Sequence, residues 1–312
     1  MHIDVLGLLA AAAGGFLGAT FGALVAFVFT GIAVLVGIGV LVGSGDASLL
    51  NSIAFGPFFG PHIAFASGVG ALAYAARRGY IANGRDIVTP LVSLSKPDVL
   101  LVGAGFGVFG HLCQNLVSVI PWFGAHTDGV ALTVVVSALV ARIVFGRSGI
   151  VGANSEGLTG WKRFRPNDQQ AWLRYQEHPV MAGLLGLFVG ALSTWSSVTL
   201  LAAYPEATGV IYLGFGISAV SLLFLAFGVA VPATHHITLV SAVAVSAMIG
   251  KWSFLPAPTL VIIGGCVGLL TALVGEGFSR LWLIRGDTHI DPPASAIWPM
   301  TTLSLAVVAL IP

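Results

Sequence analysis

Charge is what this sequence has least of. Its 312 residues hold 13 Lys and Arg against 12 Asp and Glu, with 57% hydrophobic residues and a formal net charge of +1. A soluble chain of this length carries about a quarter charged residues, so a domain wetted on all sides is excluded. The near-neutral balance also excludes the broad basic face that nucleic acid needs. Cysteine is almost as scarce. Cys113 and Cys266 both fall inside apolar runs, which argues against a disulfide or a thiolate zinc site and predicts two small buried packing residues. No cleavable signal is expected, because MHIDVLGLLAAAAGG has no basic n-region and its apolar stretch continues into the body. No cofactor is expected either: GAGFG (103–107) lies within an apolar run with no strand before it, unlike a nucleotide-binding loop.

What is present is length and hydrophobicity. Mean hydropathy is +0.98, and apolar runs of about 20 residues recur, each able to cross roughly 30 Å of hydrocarbon. The pattern predicts an all-α polytopic membrane protein. Ten spans are read at roughly 4–22, 24–43, 58–77, 98–120, 128–146, 180–202, 209–230, 236–250, 258–282 and 293–311, with a tight turn near Thr20–Gly22. Two flanks carry the basic residues unequally. Arg77, Arg78, Arg85, Lys96, Arg142, Arg147, Lys162, Arg163, Arg165, Arg174, Arg280 and Arg285 fall on one side of this count, and Lys251 on the other. The positive-inside rule makes the basic side cytoplasmic, in the plasma (inner) membrane, with both termini outside. The most polar stretch, within 151–178, is then a cytoplasmic linker whose Trp, Arg and Tyr residues suit a short interfacial helix.

That linker divides two similar halves, 1–150 and 179–312. HIDVLGLLAAAAGG resembles HPVMAGLLGLFVG, pairing His2 with His178. HIAFASGV (62–69) resembles HITLVSAV (236–243), and PDVLLVGAGFGVFGHLCQN (97–115) resembles PTLVIIGGCVGLLTALVGE (258–276). HTDGVA (126–131) resembles HIDPPA (289–294). Five spans per half is an odd number, so the copies must lie in opposite orientation. This predicts two inverted five-helix repeats with a site near their interface at mid-membrane. Glycines spaced as small-xxx-small, such as Gly103/Gly107, Gly264/Gly268 and Gly183/Gly190, predict close helix contacts and faces suited to a homo-oligomer.

Titratable groups inside apolar spans are costly, and each is a site candidate. Most here stand at the start of an apolar helix, where free amides and the helix dipole favour an anion or polar oxygen. His62 follows Pro57 and Pro61; His236 follows Pro232 and Thr234. With Ser67 and Ser241 they form the expected substrate site. His126 with Asp128, His289 with Asp291, Asn115 and Glu276 form the expected gating or proton-relay set. A structural reading stands beside each. Asp128 and Asp291 are good helix caps, Pro292 suits a first helical position, and Glu276 lies four residues before Arg280 on one helix face. His111 aligns with Ala272 and reads as a core histidine, and His235 has no histidine partner.

The stretch HIDPPASAI resembles the helix-opening signature of the HPP-motif integral membrane proteins. GPHIAFASGV (60–69) and ATHHITLVSAV (233–243) resemble that family's Gly-Gly-His helix start. The resemblance implies a small helical transporter, some of whose relatives are associated with nitrite, and points to His289, Pro292, Pro293, His62 and His236. The family's prolines follow the His directly, whereas Ile290 and Asp291 intervene here, and the family is read with about four spans.

The sequence therefore predicts a transporter or channel for a small polar solute. A small anion such as nitrite, nitrate or bicarbonate leads, with proton coupling an option and the lipid bilayer as the surround. A divalent-metal transporter, with ligands drawn from His62, His126, Asp128, His236, His289 and Asp291, is the alternative. A membrane-embedded enzyme is disfavoured, since no nucleophile motif or HExxH is present.

Overall fold

The computed structural model describes residues 4–154, 156–166 and 172–311; His2 lies outside them. The described chain is helical, and its one β-type contact is an isolated bridge between Gly84 and Thr288. The first half contains α1 (Val5–Phe21), α2 (Ala23–Ser44), α3 (Ala64–Arg77), α4 (Pro97–Ser118) and α5 (Gly129–Phe145). The second contains α6 (Pro179–Ala203), α7 (Leu213–Ser221) with its short continuation α8 (Leu223–Ala226), α9 (His235–Lys251), α10 (Ala257–Phe278) and α11 (Pro292–Leu310). A 3₁₀ turn at Thr208–Tyr212 leads into α7, and a π-helical turn, Ser279–Leu283, extends α10. In the linker, Gly160–Phe164 forms one further 3₁₀ turn.

Local chemistry explains where helices start and stop. Pro97, Pro179 and Pro292 each stand at the beginning of a helix, where a missing N–H costs nothing. The expected turn between the first two runs is Gly22, at φ 83°, against the Thr89 carbonyl; an added Cβ would stand 2.7 Å from that oxygen. Gly45 ends α2 in the left-handed region. A helix thus occupies each of the ten apolar runs. Six are long and apolar enough to cross a membrane: α2, α4, α6, the 208–226 unit, α10 with its extension, and α11. α1 and α5 are apolar but have 17 residues each. The third run departs from expectation, because α3 starts only at Ala64 and has 14 residues. Pro57 and Pro61 lack the N–H a helix would use, and 55–63 is mostly turn.

Side chains such as Leu6, Leu101, Phe188, Ile262 and Leu310 point outward and are more than three-fifths exposed. A belt of that kind is compatible with embedding in a membrane. Cys266 lies on such an outward face of α10 and Cys113 is half-buried, both as free thiols, so the expectation of two buried cysteines fails. A hydropathic outer face accepts a small apolar residue as readily as a core does.

Close crossings repeat between the halves. At the α1–α4 crossing, a Cβ on Gly15 would meet the Gly103 carbonyl at 2.4 Å and Ser67 Oγ at 2.7 Å. At the α6–α10 crossing, a Cβ on Gly190 would meet the Gly264 carbonyl and Ser241 Oγ, each at 2.8 Å. Gly103, Gly107, Gly264 and Gly268 thus serve contacts within the chain. Between the halves, α2 and α7 run antiparallel, with Gly31 beside Ala219, Leu35 beside Gly216, and Leu41 beside Gly209. α5 and α11 do the same. Thr127, just before α5, bonds Thr302 in the second half of α11 (Oγ1–Oγ1 2.8 Å).

At the other end of that pair, the Arg142 side chain is fully buried. It donates to Thr288 Oγ1 (2.5 Å) and to the carbonyls of Thr288 (2.8 Å), Trp282 (3.0 Å), Ile150 (3.1 Å) and Gly149 (3.3 Å). Arg85 reaches the carbonyls of Leu283 and Ile284. Two arginines of the first half thus hold the segment that leads into α11. Gln176 does similar work before α9: its amide donates to the Ala233 carbonyl (3.1 Å) and accepts from the Ala233 N–H (2.9 Å).

Candidate functional site

A cavity of about 280 Å³ lies among α2, α3, α5, α7, α9 and α11, and Trp172 and Leu173 of the linker also face it. Its polar lining is sparse: Asp128, Asp291, His235, Asn51 and the Tyr212 ring. Phe27, Phe55, Phe65, Phe215 and Trp172 supply most of the rest of the wall, with aliphatic residues between them. The rings touch one another. Phe27 lies 5.8 Å from Phe65 and 5.7 Å from Phe215, while Phe55 lies 5.0 Å from Tyr212.

The two carboxylates arrive by the same local route. Asp128 is extended at φ −86° and accepts the Ala131 N–H at 2.8 Å; Asp291 is extended at φ −69° and accepts the Ala294 N–H at 2.7 Å. Each is a side-chain cap, satisfying a donor that the first helical turn leaves free. Because α5 and α11 are antiparallel, the caps sit at opposite ends of the pair. His235 is the histidine of the cavity. It is 5% exposed, its ring centroid is 4.7 Å from that of Phe27, and its Nδ1 has no hydrogen-bond partner.

The expected substrate residues take other positions. His62 is buried, with its backbone carbonyl tight against Gly110 of α4, and His236 is buried with Nε2 beside Gly275 of α10. Ser67 and Ser241 sit at the two glycine crossings, where Ser241 Oγ donates to the Gly264 carbonyl (2.9 Å). None of the four lines the cavity. For His236 the reason is helical phase: one residue further along α9 turns the side chain by about 100°, from cavity to helix contact. The expected relay set is likewise split. His289 is buried, with Nε2 3.4 Å from Asp291 Oδ1 and its ring edge-on to Phe65 at 6.0 Å. His126 is half-buried and stacks on Trp122 (4.5 Å), with Nδ1 2.6 Å from the Trp122 carbonyl, so it does not reach Asp128 by a hydrogen bond. Asn115 is exposed and bonds His111 on its own helix (3.1 Å). Glu276 is buried on α10, its Oε1 without a partner.

Sequence reasoning passed over His235 for want of a histidine counterpart. It was a candidate with no matching partner; in the aligned repeat it takes the place of Pro61, and the structure puts both at the cavity. Among the described residues, no group of three His, Cys, Asp or Glu side chains is placed to hold a metal ion.

A family signature matches residues 1–312, the whole length of the chain. The chain belongs to the DUF7973 family. That family is one of unknown function, so membership names no substrate or reaction. No curated protein and no solved structure matches the chain.

Proposed function

We propose that this DUF7973 protein is a multi-pass membrane transporter or channel that moves a small polar solute through the central cavity. In this reading it is built as two five-helix repeats of opposite orientation. The observation that carries the reading is the cavity wall. Aligned positions of the two halves face it in pairs: Pro61 and His235, Phe65 and Leu239, Asp128 and Asp291, Val130 and Pro293, Ala131 and Ala294, Val134 and Ile297. A pocket shared in this way between two repeats is where secondary transporters hold their solutes. The antiparallel α2–α7 and α5–α11 pairs and the matching glycine crossings support the inversion. The irregular segments 55–63 and 227–234 support it too, since non-helical backbone at membrane depth is tolerated where it is enclosed by protein or lines a cavity. The excess of Lys and Arg on one flank favours a cytoplasmic 151–178 linker and outward termini.

The wall also weighs the solute classes. Asp128 and Asp291 already occupy two of the helix starts that a free anion would use. A divalent ion lacks a third ligand among the described residues. Resemblance to the HPP-motif proteins supports a polar helix start at 289–294 and leaves the solute open.

The test is uptake by proteoliposomes of a panel holding nitrite, urea and a permanently charged organic cation, against protein-free liposomes. Filling the cavity with Ala131→Phe is expected to lower uptake about ten-fold or more while the protein remains monodisperse. Equal uptake by the filled variant, or none by the parent, would remove the cavity from its role.

A further inference from the structure

The wall of the cavity narrows the solute further, and this inference rests on the transport reading above. Two features of the wall agree in sign. Two carboxylates, Asp128 and Asp291, face the space, and among its described lining residues there is no Lys or Arg. An anion entering would meet two like charges in a poorly solvated site, where Coulomb repulsion is far stronger than in water. The second feature is aromatic. Phe27, Phe65 and Phe215 form one continuous patch, and the negative faces of aromatic rings attract a cation while rejecting an anion. His235 stands at the same wall, 5% exposed, with its ring centroid 4.7 Å from that of Phe27.

Size and polarity decide which cation. A bare metal ion has no set of three ligands here, and a hydrated one would leave the apolar wall facing water. An organic cation covers that wall with its own carbon. At about 280 Å³ the cavity falls just under the ~300–1,000 Å³ of drug-sized pockets, so the occupant is small. We propose that the cavity binds a small alkylammonium cation. Its charge is held in the field of the two cap carboxylates, and its alkyl groups rest against the aromatic patch.

Tetramethylammonium is the probe, because it is permanently charged and does not leak through lipid as a free amine. Its uptake by proteoliposomes is compared with that of nitrite and urea, for the parent and for the double variant Asp128→Asn/Asp291→Asn. Asparagine caps a helix about as well as aspartate, so the double variant keeps the fold and loses both charges. The expected result is tetramethylammonium uptake about ten-fold above that of nitrite or urea, cut by about ten-fold in the double variant. If the double variant does not stay monodisperse, Phe215→Leu serves in its place, with a several-fold loss of tetramethylammonium uptake expected. Faster movement of nitrite or urea, or tetramethylammonium uptake indifferent to these variants, overturns the cation class and leaves the transport reading standing. If none of the three solutes moves beyond protein-free liposomes, both fall together.

Discussion

At the start of α5, Asp128 caps the helix while His126, two residues earlier, turns away onto the exposed ring of Trp122. At the start of α11, Asp291 makes the same cap, but His289 is buried and reaches back to it. The carboxylates agree because both answer the same need, the unpaired amides of a first helical turn. The histidines differ because the chain before them differs. Residues 119–127 form an outer turn with half-buried and exposed side chains. Residues 284–288 are held from two sides, by Arg85 on the Ile284 carbonyl and by Arg142 on Thr288. A repeated motif therefore keeps the role its own backbone dictates and loses the role that depends on its setting.

The sharpest way to break this contrast is to release the held segment. Arg142→Met removes the guanidinium donors to Thr288, Trp282, Ile150 and Gly149, and the buried Thr288 oxygens lose the most. A loss of about 3–5 kcal/mol is expected, read as a large fall in the thermal unfolding midpoint in detergent. A fall of only a degree or two would mean the segment holds itself. Next in size is Asp291→Ala, which takes away both the cap and the partner of His289. About 1–2 kcal/mol is expected, and Asp291→Asn should recover most of it. Asp128→Ala should cost less, about 1 kcal/mol, because no histidine depends on that carboxylate. Equal costs would put the two helix starts back on one footing.

A smaller effect comes from acid. Burial pushes the Asp287 carboxyl up. The Ser148 hydroxyl, the Arg147 N–H and the nearby Arg142 guanidinium more than offset this and hold it below the usual carboxylate range. A carboxylate depressed in the folded state adds stability above its unfolded value, about pH 3.9, and loses it as pH falls through the folded one. Unfolding midpoints should drop as pH is taken from about 5 towards 3, and less steeply in Asp287→Asn. Identical slopes would show that Asp287 does not link acid to the α5–α11 junction.

The positions of the helices were legible because their start signals are local: Pro97, Pro179, Asp128 and Asp291 all stand where helices begin. Depth and facing were not legible. In this chain the outward surface is as apolar as the core, so hydropathy cannot separate Phe58, 46% exposed, from Phe65, 5% exposed and facing the cavity. The repeat located the right turns at His62 and His236, but only the helical phase places His235 inside. Arg142 reads in sequence as one more cytoplasmic charge. Its burial depends on backbone carbonyls from distant segments, which no local pattern announces.

The smallest effect belongs to His126, and it bears most directly on what the two copies share. Its ring lies flat against Trp122, and its Nδ1 meets a carbonyl four residues back, so both contacts are confined to one outer turn. His126→Ala should therefore cost less than about 1 kcal/mol and leave solute uptake unchanged, since neither contact reaches the cavity. His289→Ala should do more on both counts, because its ring lies between the Asp291 carboxylate and Phe65, two groups of the cavity wall. If the His126 variant lost uptake as His289→Ala does, the outward turn would have to close over the cavity during transport. His-x-Asp would then be one device used twice, where the structure gives one cap used twice and a histidine used once.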